Sequence, residues 1–494
     1  MIKNHREGFM RILMLDLDTL RPDHLHCYGY PRQTSPGLDM ICEDSMRFDN
    51  YHCSDAPCLP SRAALVTGMF GIHNGAVNHG GLAADLRPWG IERGFHDIRL
   101  ENSLFFLFRR SGLKTATVST FAERHSSYWF NAGFNEIVNI GKRGDELADE
   151  ALPLALDWIE NNAASDNWFL HVNMWDPHTP YRTPLEFGNP FEKDPIPDWI
   201  SEAVVAAHLK HIGPHSLNEL GMYTDQAPPH FPRQLGKAGT LEEVKQVIDG
   251  YDCGIRYMDE KISQIISRLK AMGVYEDLII IVTSDHGENM GELGIYSEHA
   301  TADQITTRIP MMIKWPGMKT GVNRGFHYNT DLVPTLAELL GLPPSPAWDG
   351  ASYASVLRTG QGSGRPYLVL SQCSHVCQRS VRFGDYIYIR TYHDGYHLFP
   401  EEMLFNIQED YFEQYNLAAE RSDLCAEACR YLVEWQGDMM LKSRSDIDPL
   451  WTVIREGGPY HAKGNLRAYY ERLKQTNRAA GAEALRRRHP GEFS

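Results

Sequence analysis

The sequence predicts an α/β fold, with a large and mainly parallel sheet flanked by helices and a smaller α+β domain at the carboxyl end. Short β-branched or apolar runs alternate with longer helical patterns along most of the 494 residues. Several of the apolar runs are followed directly by polar side chains. In open parallel sheets, active residues lie at the carboxyl ends of the strands. The pattern therefore predicts an enzyme whose site lies along one edge of the sheet.

The first part of the chain supplies the elements of this sheet. Buried strands are predicted at 11–17 (RILMLDL), 114–119 (KTATVS), 168–174 (WFLHVNM) and 278–283 (LIIIVT), and helices at 103–110, 146–161 and about 241–272. Polar side chains follow these strands at Asp18, Thr120, Asp176–His178 and Asp285–His286. Because parallel strands end at the same edge, these side chains are candidates for one common site.

Two regions of the chain depart from this alternation. A proline- and histidine-rich stretch at about 182–240 is an irregular insert, of the kind that forms a functional lid or is partly disordered. The sequence GQGSGRP after Gly360 is typical of a linker. We therefore predict a catalytic domain over 1–360 and a small antiparallel α+β domain with a tail over 361–494. The tail, from about Arg444, is expected to be irregular.

Composition excludes several classes of protein. Hydrophobic residues make up 42% and charged residues 23%, which is the balance of a globular protein. The net charge of −16 argues against a nucleic-acid binder, and no run approaches the roughly 18 apolar residues of a membrane span. The amino-terminal residues lack a signal-peptide pattern, and nine scattered cysteines do not resemble a disulfide scaffold. A cytoplasmic protein is expected.

The most specific motif is Cys58-Leu-Pro-Ser-Arg62, which continues Ala-Ala-Leu-Val-Thr67-Gly68. It resembles the signature of formylglycine-dependent type I sulfatases, a family of the alkaline phosphatase superfamily. The resemblance implies that a formylglycine-generating enzyme oxidises Cys58. A hydrated aldehyde carries two hydroxyls, so that one can attack sulfur or phosphorus and the other can later expel the bound group. The alternative is a buried structural cysteine beside a proline turn.

Two strand ends carry the metal ligands that this resemblance implies. Asp18 stands at the position of the first family aspartate. Thr283-Ser-Asp285-His286-Gly resembles the later motif whose Asp and Asn or His complete the metal site. The implied ligands are thus Asp18, Asp285, His286 and the formylglycine at Cys58. Oxygen ligands with one imidazole suit a divalent cation, with Ca²⁺ and Mn²⁺ as the two choices.

One usual ligand of the family is missing. Thr19 occupies the position at which many sulfatases have a second aspartate. Asp16 lies on the same face of the strand as Asp18, because side chains alternate with period two. Asp16 is therefore expected either to compensate as a metal ligand or to lie behind the site.

Three more residues complete the implied catalytic set. Arg62, within the signature, would counter charge near the nucleophile. His178 lies in a Trp-Asp-Pro-His segment that resembles the family sequence after the central strand. His299 stands eleven residues before Pro310, where many sulfatases carry a lysine. We expect His299 to protonate the leaving oxygen and His178 to hold the anionic oxygens of the substrate.

The substrate-binding positions depart from the usual sulfatase pattern. Thr120 and Ala122 replace a lysine and a histidine that contact sulfate in many members. Arg124 and His125 are near enough in sequence to substitute for them. Thr120, together with Asn78 twenty residues after the nucleophile, resembles phosphonate monoester hydrolases, which are relatives with the same formylglycine. The expected substrate-binding residues are thus Asn78, Thr120, Arg124 and His125.

Three functions remain open at this point. The first is hydrolysis of an organic sulfate monoester, from a small molecule or a saccharide. The second is hydrolysis of a phosphonate monoester or phosphodiester by the same residues. The third, and least favoured, is a non-catalytic homologue that only binds such a ligand. The sequence leaves the alcohol portion of the substrate and the oligomeric state open, a homo-oligomer included.

One further motif has spacing suited to a metal. Cys373, His375 and Cys377 alternate along a short segment, but no second pair of ligands accompanies them. A zinc site at these three residues is therefore not favoured over simple packing.

Overall fold

The computed structural model describes residues 10–87, 98–443 and 445–493. The strands, numbered β1 to β15 along the chain, are Arg11–Leu17, Met46–His52, Asp55–Ala56, Lys114–Val118, Glu136–Val138, Trp168–Met174, Ile279–Thr283, Asn289–Met290, Tyr296–Glu298, Met311–Lys314, Gly321–Tyr328, Tyr367–Gln372, Cys377–Phe383, Tyr386–His393 and Glu402–Asn406. The helices, numbered α1 to α16, are Pro36–Glu43, Cys58–Thr67, Gly71–Asn74, Ile98–Glu101, Leu104–Arg110, Phe121–Arg124, Ala148–Asn162, Glu202–His208, Leu241–Ala271, Gln304–Thr307, Leu332–Leu339, Ala354–Thr359, Ser422–Lys442, Pro449–Arg455, Leu466–Gln475 and Ala479–Arg488.

The main sheet has eight strands in the order β11-β2-β10-β7-β1-β6-β4-β5. All neighbouring strands in it run parallel except β10, which is antiparallel to both β7 and β2. Asp16 on β1 pairs with Asn173 on β6 and with Thr283 on β7. The carboxyl ends of these three central strands therefore meet side by side, as the sequence predicts for a mainly parallel sheet.

Two hydrophobic cores cover the two faces of this sheet. On β1, Leu13, Leu15 and Leu17 pack into the core that holds α7 and α9, while Ile12 and Met14 pack into the core that holds α2, α5 and α11. This alternation follows from the period of two along a strand. Asp16 continues the second series, so its carboxylate emerges on the same face as α2. That face is where Arg62 is found.

A second, five-stranded sheet has the order β15-β14-β13-β12-β3. The strands β12 to β15 are antiparallel, as expected for the smaller α+β region, and α13 packs against them. The short strand β3 comes from the amino-terminal part of the chain and pairs parallel to β12. Asp55 and Ala56, which precede Cys58 by three and two residues, are therefore part of the second sheet. The domain limits at 360 and 361 stay a prediction.

The carboxy-terminal tail is not irregular, and this expectation is wrong. Three helices, α14 to α16, lie between Pro449 and Arg488. Their apolar residues pack into two small cores, one of which includes Tyr396 and Ala482 and the other Val453 and Cys377. Short helices with few apolar residues have a weak sequence signal, because tertiary packing supplies most of their stability. Residue 444 itself lies outside the described residues.

The insert at 182–240 consists mostly of turns and irregular segments with one helix, α8. It packs on the main domain through Ile200, Val205, Leu217 and Leu220, which belong to the core of α7 and α9. Among the described residues, no helix is both long and apolar enough to cross a membrane. Residues 1–9, which bear on the expectation about export, lie outside the described part of the chain.

Candidate active site

Cys58 is the first residue of α2 and lies at the centre of the polar residues that follow the strands. It is 1% exposed, and its Sγ lies 3.0 Å from Nε2 of His286. Burial, together with the charges of Asp18 and Asp285, raises the pKa of its thiol well above the ordinary value. A thiol that stays protonated is a poor nucleophile at neutral pH. As an unmodified cysteine this residue is thus unsuited to attack an ester.

The structure brings the four residues of the implied metal site together. One ligand atom from each of Asp18, Cys58, Asp285 and His286 lies within 4.8 Å of the others, and all four residues are buried. They come from the end of β1, the start of α2 and the end of β7. The turn that carries Asp285 and His286 lies close against α10. Only glycine fits at position 287 of this turn, because a Cβ there would lie 2.0 Å from the carbonyl oxygen of Ile305.

Asp18 shows that this group fits a cation. Both carboxylate oxygens of Asp18 are buried, and neither accepts a hydrogen bond from the described residues. Burial, Asp285 and Asp16 all raise the pKa of Asp18, whereas Arg62 lowers it. The guanidinium of Arg62 contacts Asp18 but also Asp16 and Asp285, so three buried carboxylates share this one positive charge. Buried carboxylates in excess of their compensating charge are costly. A divalent ion held by Asp18, Asp285, His286 and residue 58 would supply that charge.

Arg62 connects the metal ligands to Asp16. Its guanidinium donates to both oxygens of Asp16, at 2.8 and 3.0 Å, and its Nη1 donates to Oδ2 of Asp285 at 2.5 Å. The same Nη1 lies 2.9 Å from Oδ2 of Asp18. Burial opposes ionisation of Asp16, but Arg62 and His171 lower the pKa of Asp16. Asp16 therefore holds Arg62 in place and lies outside the four-residue group.

His178 and His299 both stand beside this group. Nε2 of His178 lies 3.9 Å from Oδ1 of Asp18, while its Nδ1 contacts the carbonyl oxygen of Thr179. The ring centroid of His299 is 4.1 Å from that of His286 and 5.3 Å from that of His178. Burial lowers the pKa of both rings, and the neighbouring histidines lower that of His299 further.

A cavity of about 540 Å³ opens directly above the nucleophile. It is lined by Cys58, His79, Arg124, His125, Ser126, Arg143, His178, Met222, Glu298, His299, His375, Tyr460 and His461. Two expected substrate-binding residues, Arg124 and His125, are thus placed on its wall. The guanidinium of Arg124 lies 5.1 Å from the ring centroid of Trp175, which orients it in the cavity.

The other two expected substrate-binding residues do not line the cavity. Thr120 is buried, and its hydroxyl donates to the carboxylate of Glu146. Asn78 is also buried; its Oδ1 accepts from the backbone of His79 at 2.8 Å and from that of Tyr460 at 3.4 Å. Its side-chain nitrogen has no hydrogen-bond acceptor among the described residues. The structure therefore places both residues behind the cavity wall.

Several cavity residues were not singled out for the site from the sequence. His79, Glu298, His375, Tyr460 and His461 come from four separate parts of the chain. His461 belongs to the tail, where its Nε2 lies 3.0 Å from Nδ1 of His79 and its ring stacks on His375 at 4.2 Å. No local motif marks Tyr460 or His461, because only the folded chain brings the tail to the carboxyl ends of the main sheet.

Comparison with known proteins agrees with this geometry. The family model described as Sulfatase matches residues 12–342. The chain belongs to the sulfatase family. It is therefore a sulfuric ester hydrolase of the alkaline phosphatase superfamily. A choline-sulfatase of Rhizobium meliloti (strain 1021) is 25% identical over 438 residues, which are 78% of this chain and 77% of that protein. The multifunctional alkaline phosphatase superfamily protein PehA of Trinickia caryophylli is 24% identical over 390 residues, which are 67% and 73% of the two chains.

Solved structures share the fold of this family member. The phosphonate monoester hydrolase of Agrobacterium radiobacter matches with a TM-score of 0.65 at 19% identity, over 88% of this chain and 96% of the other. A protein solved in complex with its substrate D-glucosamine-2-N,6-O-disulfate matches with a TM-score of 0.69 at 18% identity, over 90% and 99% of the two chains. These matches confirm the predicted α/β architecture with its smaller antiparallel sheet.

Proposed function

We propose that this enzyme hydrolyses an organic sulfate monoester with a formylglycine at residue 58 and one divalent metal ion. The observation that carries the proposal is the buried group of Asp18, Cys58, Asp285 and His286, in which both oxygens of Asp18 lack hydrogen-bond donors among the described residues. Formylglycine at position 58 requires maturation by a formylglycine-generating enzyme. The ion is Ca²⁺ or Mn²⁺, since the site offers oxygens and one imidazole.

The metal site, Arg62 and residue 58 each have a separate role in this reaction. When bound, the ion withdraws charge from the oxygens that it contacts and favours ionisation of a hydroxyl on residue 58. Arg62, held by Asp16, keeps Asp285 in position and balances the buried carboxylates. One hydroxyl of the hydrated residue 58 attacks sulfur, and the bond from sulfur to the alcohol oxygen breaks. The second hydroxyl then loses its proton and re-forms the aldehyde, which releases sulfate; water hydrates the aldehyde again.

The wall of the cavity positions the ester. Arg124 and His125 replace the usual lysine and histidine as contacts to the sulfate oxygens, and His178 faces the same space from the end of β6. Ser126, Met222 and Tyr460 lie in the remaining wall and would contact the alcohol portion. A cavity of about 540 Å³ accommodates a small alcohol or a single sugar ring. Small-molecule or saccharide sulfate esters are therefore the proposed substrates.

Replacing His299 by alanine should slow esters of poor leaving groups more than esters of good ones. His299 stands where the alcohol oxygen departs, and stabilising that oxygen contributes about 10²- to 10⁴-fold when the alcohol is a weak acid. A nitrophenolate needs little such help. We expect a steeper dependence of kcat/KM on leaving-group pKa in His299→Ala, measured over a series of alkyl and aryl sulfates.

The matched variant for this series is His178→Ala, which removes a neighbouring histidine from the same cavity. If His178 only holds the anionic oxygens, this variant slows all esters by a similar factor. An equal loss for all esters in His299→Ala, with a steeper dependence in His178→Ala, would show that the two roles are reversed.

Hydrolysis of a phosphonate monoester or phosphodiester is the second candidate, and Thr19 favours it. The backbone nitrogen of Thr19 donates to Oδ1 of Asp285, so this residue adds no carboxylate to the metal group. A single leading aspartate, Asp18 followed by Thr19, resembles the pattern of phosphonate monoester hydrolases. We expect an aryl sulfate to have the higher kcat/KM in parallel assays with an aryl phosphonate monoester. A higher value for the phosphonate would move the assignment to the second candidate.

A further inference from the structure

Glu298 is surrounded by imidazoles on the wall of the substrate cavity. Its Oε1 lies 3.0 Å from Nε2 of His299 and 3.6 Å from Nε2 of His375, and its Oε2 lies 3.1 Å from Nε2 of His215. All four residues are buried, with exposures of 3 to 6%. The insert supplies His215 and the second sheet supplies His375. Three separate parts of the chain thus converge on one carboxylate.

The contacts of His299 do not suit a neutral imidazole by itself. Its Nδ1 lies 3.3 Å from Oε2 of Glu288, and its Nε2 lies 3.0 Å from Oε1 of Glu298. A neutral ring carries one proton and can donate to only one of two carboxylates. If Nδ1 donates to Glu288, Nε2 carries a lone pair 3.0 Å from Oε1 of Glu298, an oxygen that also accepts from the backbone nitrogen of His299. A cation between Nε2 and Glu298 would turn this repulsion into two bonds.

The spacing of the three ligand atoms agrees with such a cation. One ligand atom from each of Glu298, His299 and His375 lies within 4.8 Å of the others. Around a zinc ion with bonds of about 2.0–2.1 Å, the ligand atoms of a tetrahedral site are about 3.3–3.4 Å apart. The observed contacts to Glu298 of 3.0 and 3.6 Å lie on either side of that value.

The residues around these three atoms resemble the outer partners of a metal site. A histidine that binds a metal commonly donates its other ring nitrogen to a carboxylate, as His299 can to Glu288. Nε2 of His215 lies 3.1 Å from Oε2, the second oxygen of the Glu298 carboxylate. The backbone carbonyl of His299 is fixed by Gln372 at 2.8 Å.

We propose that Glu298, His299 and His375 bind a second divalent transition-metal ion, of which Zn²⁺ is the best fit, beside the site of Asp18, Asp285 and His286. Two imidazoles and one carboxylate, with a remaining position open to the cavity, are a donor set typical of a reactive zinc site.

This inference rests on the proposed function and makes the role of His299 more specific. His299 lies between the two sites, since its ring centroid is 4.1 Å from that of the first-site ligand His286. Cys58, His286 and His299 also place one ligand atom each within 4.8 Å of the others, so the second ion would lie next to the first site. Two adjacent metal ions can contact the attacking and the leaving oxygen of one displacement. A metal at Nε2 would stabilise the departing alcohol oxygen in place of a proton from His299. The leaving-group dependence expected for His299→Ala is the same whether His299 donates a proton or binds a metal ion. The two possibilities are therefore distinguished by the metal content of the protein.

The test is the number of metal ions bound per chain. The purified full-length protein is saturated with Zn²⁺, passed through a gel-filtration column to remove loose ions, and analysed by inductively coupled plasma mass spectrometry. We expect two ions per wild-type chain, and one fewer in Glu298→Gln and in His375→Ala. His461→Ala is the matched control, because this ring stacks on His375 at 4.2 Å without belonging to the three ligands. It should retain both ions.

The result separates the second site from the proposed function. Asp18→Asn should lose the first ion and keep the second, which shows that the sites are distinct. If the wild-type chain binds a single ion and Glu298→Gln binds the same number, the second site is refuted, and Glu288 or Glu298 carries a proton instead. Hydrolysis of a sulfate ester by that one-ion protein would leave the proposed function intact. Melting temperatures of all variants exclude unfolding as the cause of a loss.

Discussion

Replacing Cys58 by alanine should abolish turnover of sulfate esters. The variant lacks any precursor of formylglycine, and loss of a catalytic nucleophile lowers kcat on the order of 10³- to 10⁶-fold. The fold should persist, because the side chain is a small buried group at the start of α2. The measurement is kcat on an aryl sulfate, with circular dichroism and a melting curve to establish folding.

Two further variants sharpen this result. Cys58→Ser keeps one hydroxyl but lacks the second that expels the bound group, so it should become sulfated once and then stop. Intact mass would show the trapped ester. Cys253→Ala is the matched control, since Cys253 is a fully buried cysteine on α9 and does not belong to the core that contains Cys58. Its kcat should match that of the wild-type chain. Substantial turnover by Cys58→Ala would overturn the proposed mechanism.

Replacing Asp285 by asparagine should remove the first metal ion and most of the activity. The substitution keeps the shape of the side chain but removes one of the charges that balance a divalent cation. Asp285 also accepts hydrogen bonds from the backbone nitrogens of Thr19 and His286 at 3.1 and 3.0 Å, which the amide oxygen can still accept. We therefore expect one metal equivalent less and kcat lower by about 10²-fold or more.

The control for this variant is Asp176→Asn. Asp176 is equally buried and follows β6 as Asp285 follows β7, but its Oδ1 accepts from the backbone nitrogen of Ala148 at 3.1 Å and it is outside the metal group. This variant should keep the full metal content. Chelation of the wild-type protein should abolish activity, and added metal should restore it. Unchanged metal content in Asp285→Asn would mean that the first site is misplaced.

The sequence predicts the centre of the fold and of the site for a physical reason. Strands such as 168–174 and 278–283 are mostly apolar, which is the signature of a parallel strand covered on both faces. Their ends carry the polar residues, and the parallel order brings those ends together. The positions of Asp18, Cys58, Asp285 and His286 therefore follow from local patterns and from the resemblance.

The remaining parts of the cavity depend on contacts between distant segments. His461 reaches the site only because the tail folds into helices that pack on Tyr396 and Cys377, and those helices have weak local signals. His375 attracts attention in the sequence through its neighbours Cys373 and Cys377, yet in the structure its Nε2 faces Glu298. Thr120 follows a strand as expected but turns to Glu146 instead of the cavity.

The chemical state of residue 58 tests the central claim most directly. Trypsin should release the peptide Phe48–Arg62, which contains both Cys53 and Cys58 and so carries its own control thiol. After alkylation, fragment masses should show an aldehyde at position 58 and an alkylated thiol at position 53. The fraction of aldehyde should rise in proportion to kcat on an aryl sulfate across preparations made with and without a formylglycine-generating enzyme. Full activity in a preparation whose residue 58 is entirely alkylated cysteine would contradict the account.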